Sequence, residues 1–228
     1  MLAVAPIDGV GLVRRLLRAA LAKSADVPAQ LHPAWVEAAW RRVGMAPPAR
    51  TVPGGSAALA AVYGLQWTSL SHFVHQPDRI ALLARPELLR VLAAVALHAE
   101  RDRVRHSIGR GLRAAVIERI GEVAYAGILA AAVDGSARAA GGLAMSELDL
   151  DLLAARGFEA LSGNGHWHSS GALAWVRFAL APAAAAPASA TRPSDSAGAL
   201  QRLSLYFPEH AWLFGLPMDR ALSASTKA

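Results

Sequence analysis

Residues 182–198 are dominated by Ala, Pro, Ser and Thr, and the chain then returns with LQRLSLYFPEHAWLFG at Leu200–Gly215. The tract lacks side chains large enough to bury much surface, so it cannot pack a core. Tyr206, Phe207, Trp212 and Phe214 follow within nine residues. A tethered aromatic cluster must bury itself against the chain's own body or against a partner. The sequence leaves both destinations open. It divides the chain into a helical domain at 1–181, a flexible Ala/Pro linker at 182–199, and a C-terminal aromatic segment and tail at 200–228.

The 228 residues suffice for one medium domain that folds without staples. No cysteine is present, which excludes disulfides and thiolate metal sites and suits a reducing compartment. Much of the 54% hydrophobic content is alanine, the best helix former and a small contributor to burial. Net charge is +6, carried almost wholly by arginine, with Lys23 and Lys227 the only lysines. That balance permits contact with nucleic acid or anionic membranes without establishing either. MLAVAPIDGV has no basic stretch ahead of an apolar one, so it does not read as a secretory signal. Val52–Pro77 is free of formal charge but too polar and Gly-rich to cross a bilayer, and a soluble protein is expected.

Periodicity predicts a mainly α, single irregular multi-helix domain. Asp8 is placed to cap a first helix over Val10–Lys23, with Leu12, Val13, Leu16, Leu17, Ala20 and Leu21 inward and Arg14, Arg15 and Arg18 outward. LHPAWVEAAWRRVG reads as a second helix ending at Gly44. Ser56 is placed to cap a third, running to about His75. Asp78–Ala84 reads as a short helical turn. Pro86 opens the longest helix, PELLRVLAAVALHAERDRVRHSIG, apolar in its first half and charged in its second. A further helix is expected over Leu112–Ala132. Ser146–Asp149 fits a Ser-x-x-Asp capping box for a helix from Glu147 to about Leu161. Around 174–180, Val176, Phe178 and Leu180 alternate as in a short strand, while Leu173, Val176 and Leu180 also suit a helix.

No catalytic signature emerges. His72 with His75, His98 with His106, and His166 with His168 lack the His-Glu-x-x-His spacing of a zinc helix, so they read as exposed or singly bonded side chains. There is no Gly-x-Ser-x-Gly elbow, and Glu147, Asp149 and Asp151 fit the first turn of a helix rather than a carboxylate pair. Gly109-Arg110-Gly111 lacks the rest of a phosphate loop. No metal, cofactor or enzymatic activity is expected. The candidate partner-binding residues are the basic helix face Arg101, Arg103, Arg105, Arg110 and Arg113, facing an acidic partner, and the anchors Tyr206, Trp212 and Phe214. The same arginines offer a second reading, a nucleic-acid-binding regulator. It is disfavoured by the interleaved Glu100 and Asp102 and by the lack of stacking aromatics.

Four segments, in this order, carry a family resemblance: LHPAWVEAAW, VALHAERDRVRHSIGRGLRAAVIERIGE, ARGFEALSG with the following ALAWVRFALAP, and YFPEHAWLFG. With them the chain resembles the SctK family, the sorting-platform accessory proteins of bacterial type III secretion systems, in particular its Hrp-type branch. The resemblance implies a mainly helical, non-enzymatic adaptor in the cytoplasm, at the inner-membrane base of the injectisome. It would link the ring protein SctD to the pod protein SctQ and act indirectly with SctL and the SctN ATPase. It implies a role in protein export and virulence, no small-molecule substrate, and no contact residues that transfer one by one.

Overall fold

The helix at Arg85–Ala99 is apolar around most of its circumference, with Leu88, Leu89, Val91, Leu92, Ala93, Ala94, Val95, Ala96 and Leu97 all buried. A helix of this kind has no face for water and must be covered on several sides. Pro86 and Glu87 favour its first turn, where a missing N–H costs nothing and a carboxylate complements the dipole. The other elements are arranged by the need to cover it.

The computed structural model describes residues 9–42, 44, 54–65, 67, 69–107, 109–132, 141–182 and 195–214. Asp8, residues 133–140, linker residues 183–194 and residues 215–228 lie outside the described residues. In chain order the α-helices are α1 (Gly9–Ala25), α2 (Val27–Gln30), α3 (Pro33–Arg42), α4 (Gly55–Tyr63), α5 (Gln76–Arg79) and α6 (Arg85–Ala99). Then follow α7 (Arg101–His106), α8 (Arg110–Ile120), α9 (Glu122–Ala130), α10 (Leu150–Gly163), α11 (Ser170–Ala179), α12 (Ser196–Tyr206) and α13 (Ala211–Phe214). Short 3-10 turns lie at Leu70–Phe73, Ile80–Leu82, Met145–Leu148 and Pro208–His210. The protein is mainly α, and no strand occurs among the described residues.

Helix α10 makes the most extensive contact with α6, and α8, α9 and α12 pack against α6 as well. The α6–α10 crossing is close because of Gly157. A Cβ there would lie 1.9 Å from the carbonyl oxygen of Leu92. Ahead of α6, the turn at Ile80–Leu82 receives α1 and α11. Trp35, Tyr63 and Phe178 join α3, α4 and α11, with Trp35 and Phe178 centroids 5.1 Å apart edge to face. The Trp35 indole N–H donates to Leu180 O at 2.9 Å, which closes this corner.

Several boundaries differ from the sequence expectation. Of the two readings open at 174–180, the structure takes the helix, as far as Ala179, and not the strand. Ser169 Oγ caps α11 by accepting from Ala172 N at 3.1 Å, and Ala172, Trp175, Val176 and Ala179 face inward at helical spacing. The long helix opened by Pro86 breaks at Glu100, where the apolar run ends. The helix expected over Leu112–Ala132 breaks at Gly121, whose φ of +88° resists any side chain. Asp149, not Ser146, caps α10, by accepting from Leu152 N at 2.9 Å. Glu147 instead accepts from Ala144 N at 2.8 Å, within the 3-10 turn. The third helix stops at Gly64 (φ +65°) rather than near His75. Ser56 does not cap it and instead donates to Ala25 O at 3.1 Å.

In α1, Leu12, Leu16 and Ala20 are buried as expected, but Leu17 and Leu21 are exposed. Only one side of α1 meets the core, so the wide apolar arc is partly left to solvent.

Gly157→Ala drives a methyl into the α6 backbone and is expected to cost about 3 kcal/mol. Urea unfolding followed by circular dichroism measures it; an unchanged midpoint would show that the crossing can open without loss.

Candidate functional site

The aromatic ending folds back onto the chain's own body. Leu203, Tyr206, Phe207, Leu213 and Phe214 are buried, and Trp212 is half-buried against the same core. Tyr206 sets one edge of its ring against α9 at Gly127, where a Cβ would sit 2.7 Å from the ring. Its hydroxyl bonds to His98 Nδ1 at 2.7 Å, and His98 Nε2 lies 3.4 Å from Asp195 Oδ2. A neutral imidazole protonated on Nε2 satisfies both neighbours. Burial lowers the His98 pKa, with the Asp195 hydrogen bond opposing it, and burial pushes Tyr206 up to about 12. Asp195 also caps α12 through Gly198 N at 2.9 Å.

The far end of this segment is held by Arg79, which is fully buried. Its Nε donates to Phe73 O at 2.8 Å, Nη2 to Val74 O at 3.0 Å and Nη1 to Leu213 O at 3.1 Å. One planar guanidinium thereby joins the 3-10 turn after α4 to α13.

The structure separates the five candidate arginines into two groups. Arg101 is buried, donates to Ala132 O at 2.8 Å and pairs with Asp195 at 3.2 Å. Arg103 pairs with Glu147 at 2.7 Å and Glu100 at 2.6 Å. These bonds raise the Arg103 pKa and, with the Ala144 N–H, lower that of Glu147. Arg105 donates to the carbonyls of Leu129 and Ala131. These three fasten α7 to its own surroundings. Arg110 and Arg113 remain exposed on α8, with Arg113 5.6 Å above the Tyr125 ring. Of the three proposed anchors, Tyr206 and Phe214 are buried in the chain's own core and Trp212 is the most accessible.

The histidines serve as local fasteners. His72 Nδ1 bonds to Ser169 Oγ at 2.6 Å, His166 Nε2 to Ser196 Oγ at 2.9 Å, and His75 stacks on His168 at 3.9 Å. Among the described residues, Glu87, Glu209 and His210 could bring three ligand atoms together. Arg90 pairs with Glu87 at 2.8 Å, and His210 Nε2 lies 3.4 Å from the same carboxylate.

The model of the bacterial type III secretion protein (HrpB4) family matches residues 14–209, from α1 to the turn before α13. The chain belongs to this family. The match agrees with the SctK resemblance read from the sequence and implies a role in type III secretion. Neither a curated protein nor a solved structure matches the chain. No helix among the described residues is long and apolar enough to cross a membrane.

Within this family member, the buried charged side chains among the described residues that the sequence reading did not single out are Asp78, which accepts from His168 N and Ser169 N at 3.1 Å, and two basic residues. Arg79 is one. The other is Lys23, buried at the end of α1, where its ammonium donates to Leu83 O and lies 5.4 Å above the Trp175 ring. Nothing local in the sequence marks either basic residue: these acceptors are backbone carbonyls, which leave no residue-type signal, and Leu213 and Leu83 lie 134 and 60 residues away.

Burial lowers Lys23 from 10.5 to about 7. Between those values the unfolded chain holds the proton and the folded chain does not, so this group makes stability rise with pH from about 7 to 10.5. The slope is at most ~1.4 kcal/mol per pH unit. Lys23→Met is expected to remove the rise, measured as urea midpoints from pH 7 to pH 10. Arg79→Leu strips donors from three carbonyls and is expected to cost about 3 kcal/mol or more. Limited proteolysis should then cut within 200–214 before the rest of the chain; an unaltered cleavage pattern would remove Arg79 as the anchor.

Proposed function

We propose that the protein is a non-enzymatic adaptor of the type III secretion sorting platform, at the cytoplasmic face of the bacterial inner membrane. It links an SctD-like ring protein to an SctQ-like pod protein and acts indirectly with SctL and SctN. It takes no cofactor and no small-molecule substrate. The observation that carries this reading is the family match over residues 14–209. It is supported by the use of the polar side chains: His72, His98, His166 and Arg101 bind the chain's own helices. In this reading the acidic-partner contact falls to the exposed Arg110 and Arg113 on α8, and Trp212 is the accessible aromatic anchor.

Affinity purification from the native host at moderate salt, with mass spectrometry of the bound proteins, tests this. SctQ-like and SctD-like proteins are expected, and deletion of the gene should stop export. Arg110→Glu with Arg113→Glu should lower recovery of the acidic partner about tenfold, equivalent to ~1.4 kcal/mol. Recovery of nucleic acid instead, with affinity falling steeply as salt rises, would replace the adaptor with a regulator.

A further inference from the structure

Helix α1 meets the core through Leu12, Leu16, Ala20 and Lys23. Its other side holds a second stripe that nothing in the described residues covers. Val10 is 54% exposed, Leu17 43% and Leu21 71%. With Arg14 they recur at intervals of four, three and four residues, which aligns them along one side of the helix for roughly 16 Å. Arg14, Arg15 and Arg18 are all exposed around this stripe, and α1 contains no acidic residue. None of the three has a hydrogen-bond or ion-pair partner among the described residues, in contrast with Arg79, Arg101, Arg103 and Arg105.

We propose that this face of α1 is a docking site for an acidic amphipathic helix of a partner protein. The partner's apolar residues would meet Val10, Leu17 and Leu21, and its carboxylates Arg14, Arg15 and Arg18. The four-three spacing is that of a helix–helix seam, which favours a helical occupant. The uniform positive charge demands an acidic one. A second copy of α1 is excluded as the occupant, because pairing would set arginines against arginines. An anionic lipid surface is the weaker fit: the helix is already seated on the core through Leu12, Leu16 and Ala20, and its stripe offers three aliphatic side chains and no aromatic ring. The site goes beyond the adaptor reading, since it specifies the chemistry of an occupant rather than its membership of the secretion system.

The test uses the full chain in its native host with a photoreactive benzoylphenylalanine at Leu21 and, as a control, at the 64% exposed Leu205 on α12. The expected result is a protein adduct at position 21 only, its cross-linked peptide being helix-periodic with Asp or Glu flanking apolar positions. Reversing Arg14, Arg15 and Arg18 to Glu should cut that adduct at least tenfold, while circular dichroism and the urea midpoint stay unchanged. Four results would overturn the site: adducts no stronger than the Leu205 control, adducts to a second copy, adducts within the chain, or flotation with phosphatidylglycerol vesicles without a protein adduct. An acidic-helix adduct on a protein outside the secretion system would sustain the site and remove the adaptor. Recovery of SctQ-like and SctD-like proteins without an α1 adduct would do the reverse.

Discussion

Coverage of α6 is the constraint on which the rest of the structure depends. Its buried leucines and valines point to several sides at once, so no single neighbouring helix can shield them. Helix α10 takes one side at the Gly157 crossing, α8 and α9 another, and α12 a third. The aromatic ending is therefore part of the enclosure. Tyr206 reaches both α9, at Gly127, and α6, through His98, so a single side chain ties three helices.

An enclosure made of short helices has many helix ends, and each end leaves carbonyls without intrahelical donors. The arginines answer this need repeatedly. Arg85 donates to Ala179 O at the end of α11, Arg105 to Leu129 O near the end of α9, and Arg119 to Leu148 O at the end of a 3-10 turn. Arg101 reaches Ala132 O just past α9. Guanidinium suits the task because its fork of donors serves several acceptors and stays charged when buried. Lys23 performs a similar task for Leu83 O with a single ammonium, and burial costs it much of its basicity.

The sequence made the central helix legible, because Pro86 and the apolar run from Leu88 to Leu97 are local signals. It also disclosed that the aromatic ending needed burial, but not where. Helical periodicity identified the shared face of Leu12, Leu16 and Ala20, yet it placed Leu17 and Leu21 inward too. Periodicity reports which residues share a face; how wide a face the core will cover depends on distant elements. The same limit applies to Arg101, Arg103 and Arg105. Their alternation with acids resembles a solvated surface, whereas they reach acceptors at the end of α9 and just past it, on residues 141–147 and at Asp195. At 174–180 the alternation of Val176, Phe178 and Leu180 with Trp175, Arg177 and Ala179 left a strand open beside a helix, and the deciding signal was the Ser169 cap.

The His98–Tyr206 bond spans 108 positions of chain, and the Arg79–Leu213 bond spans 134. Contacts so distant form late, because a long loop must close before they contribute. Helices α8, α9 and α10 lie nearer to α6 along the chain than α12 does, and the side of α6 that α12 covers is bare without it. Until residues 195–214 return, that side of α6 is a leucine-lined surface open to water. At that stage the protein's fate rests on the race between the returning segment and any other apolar surface within reach.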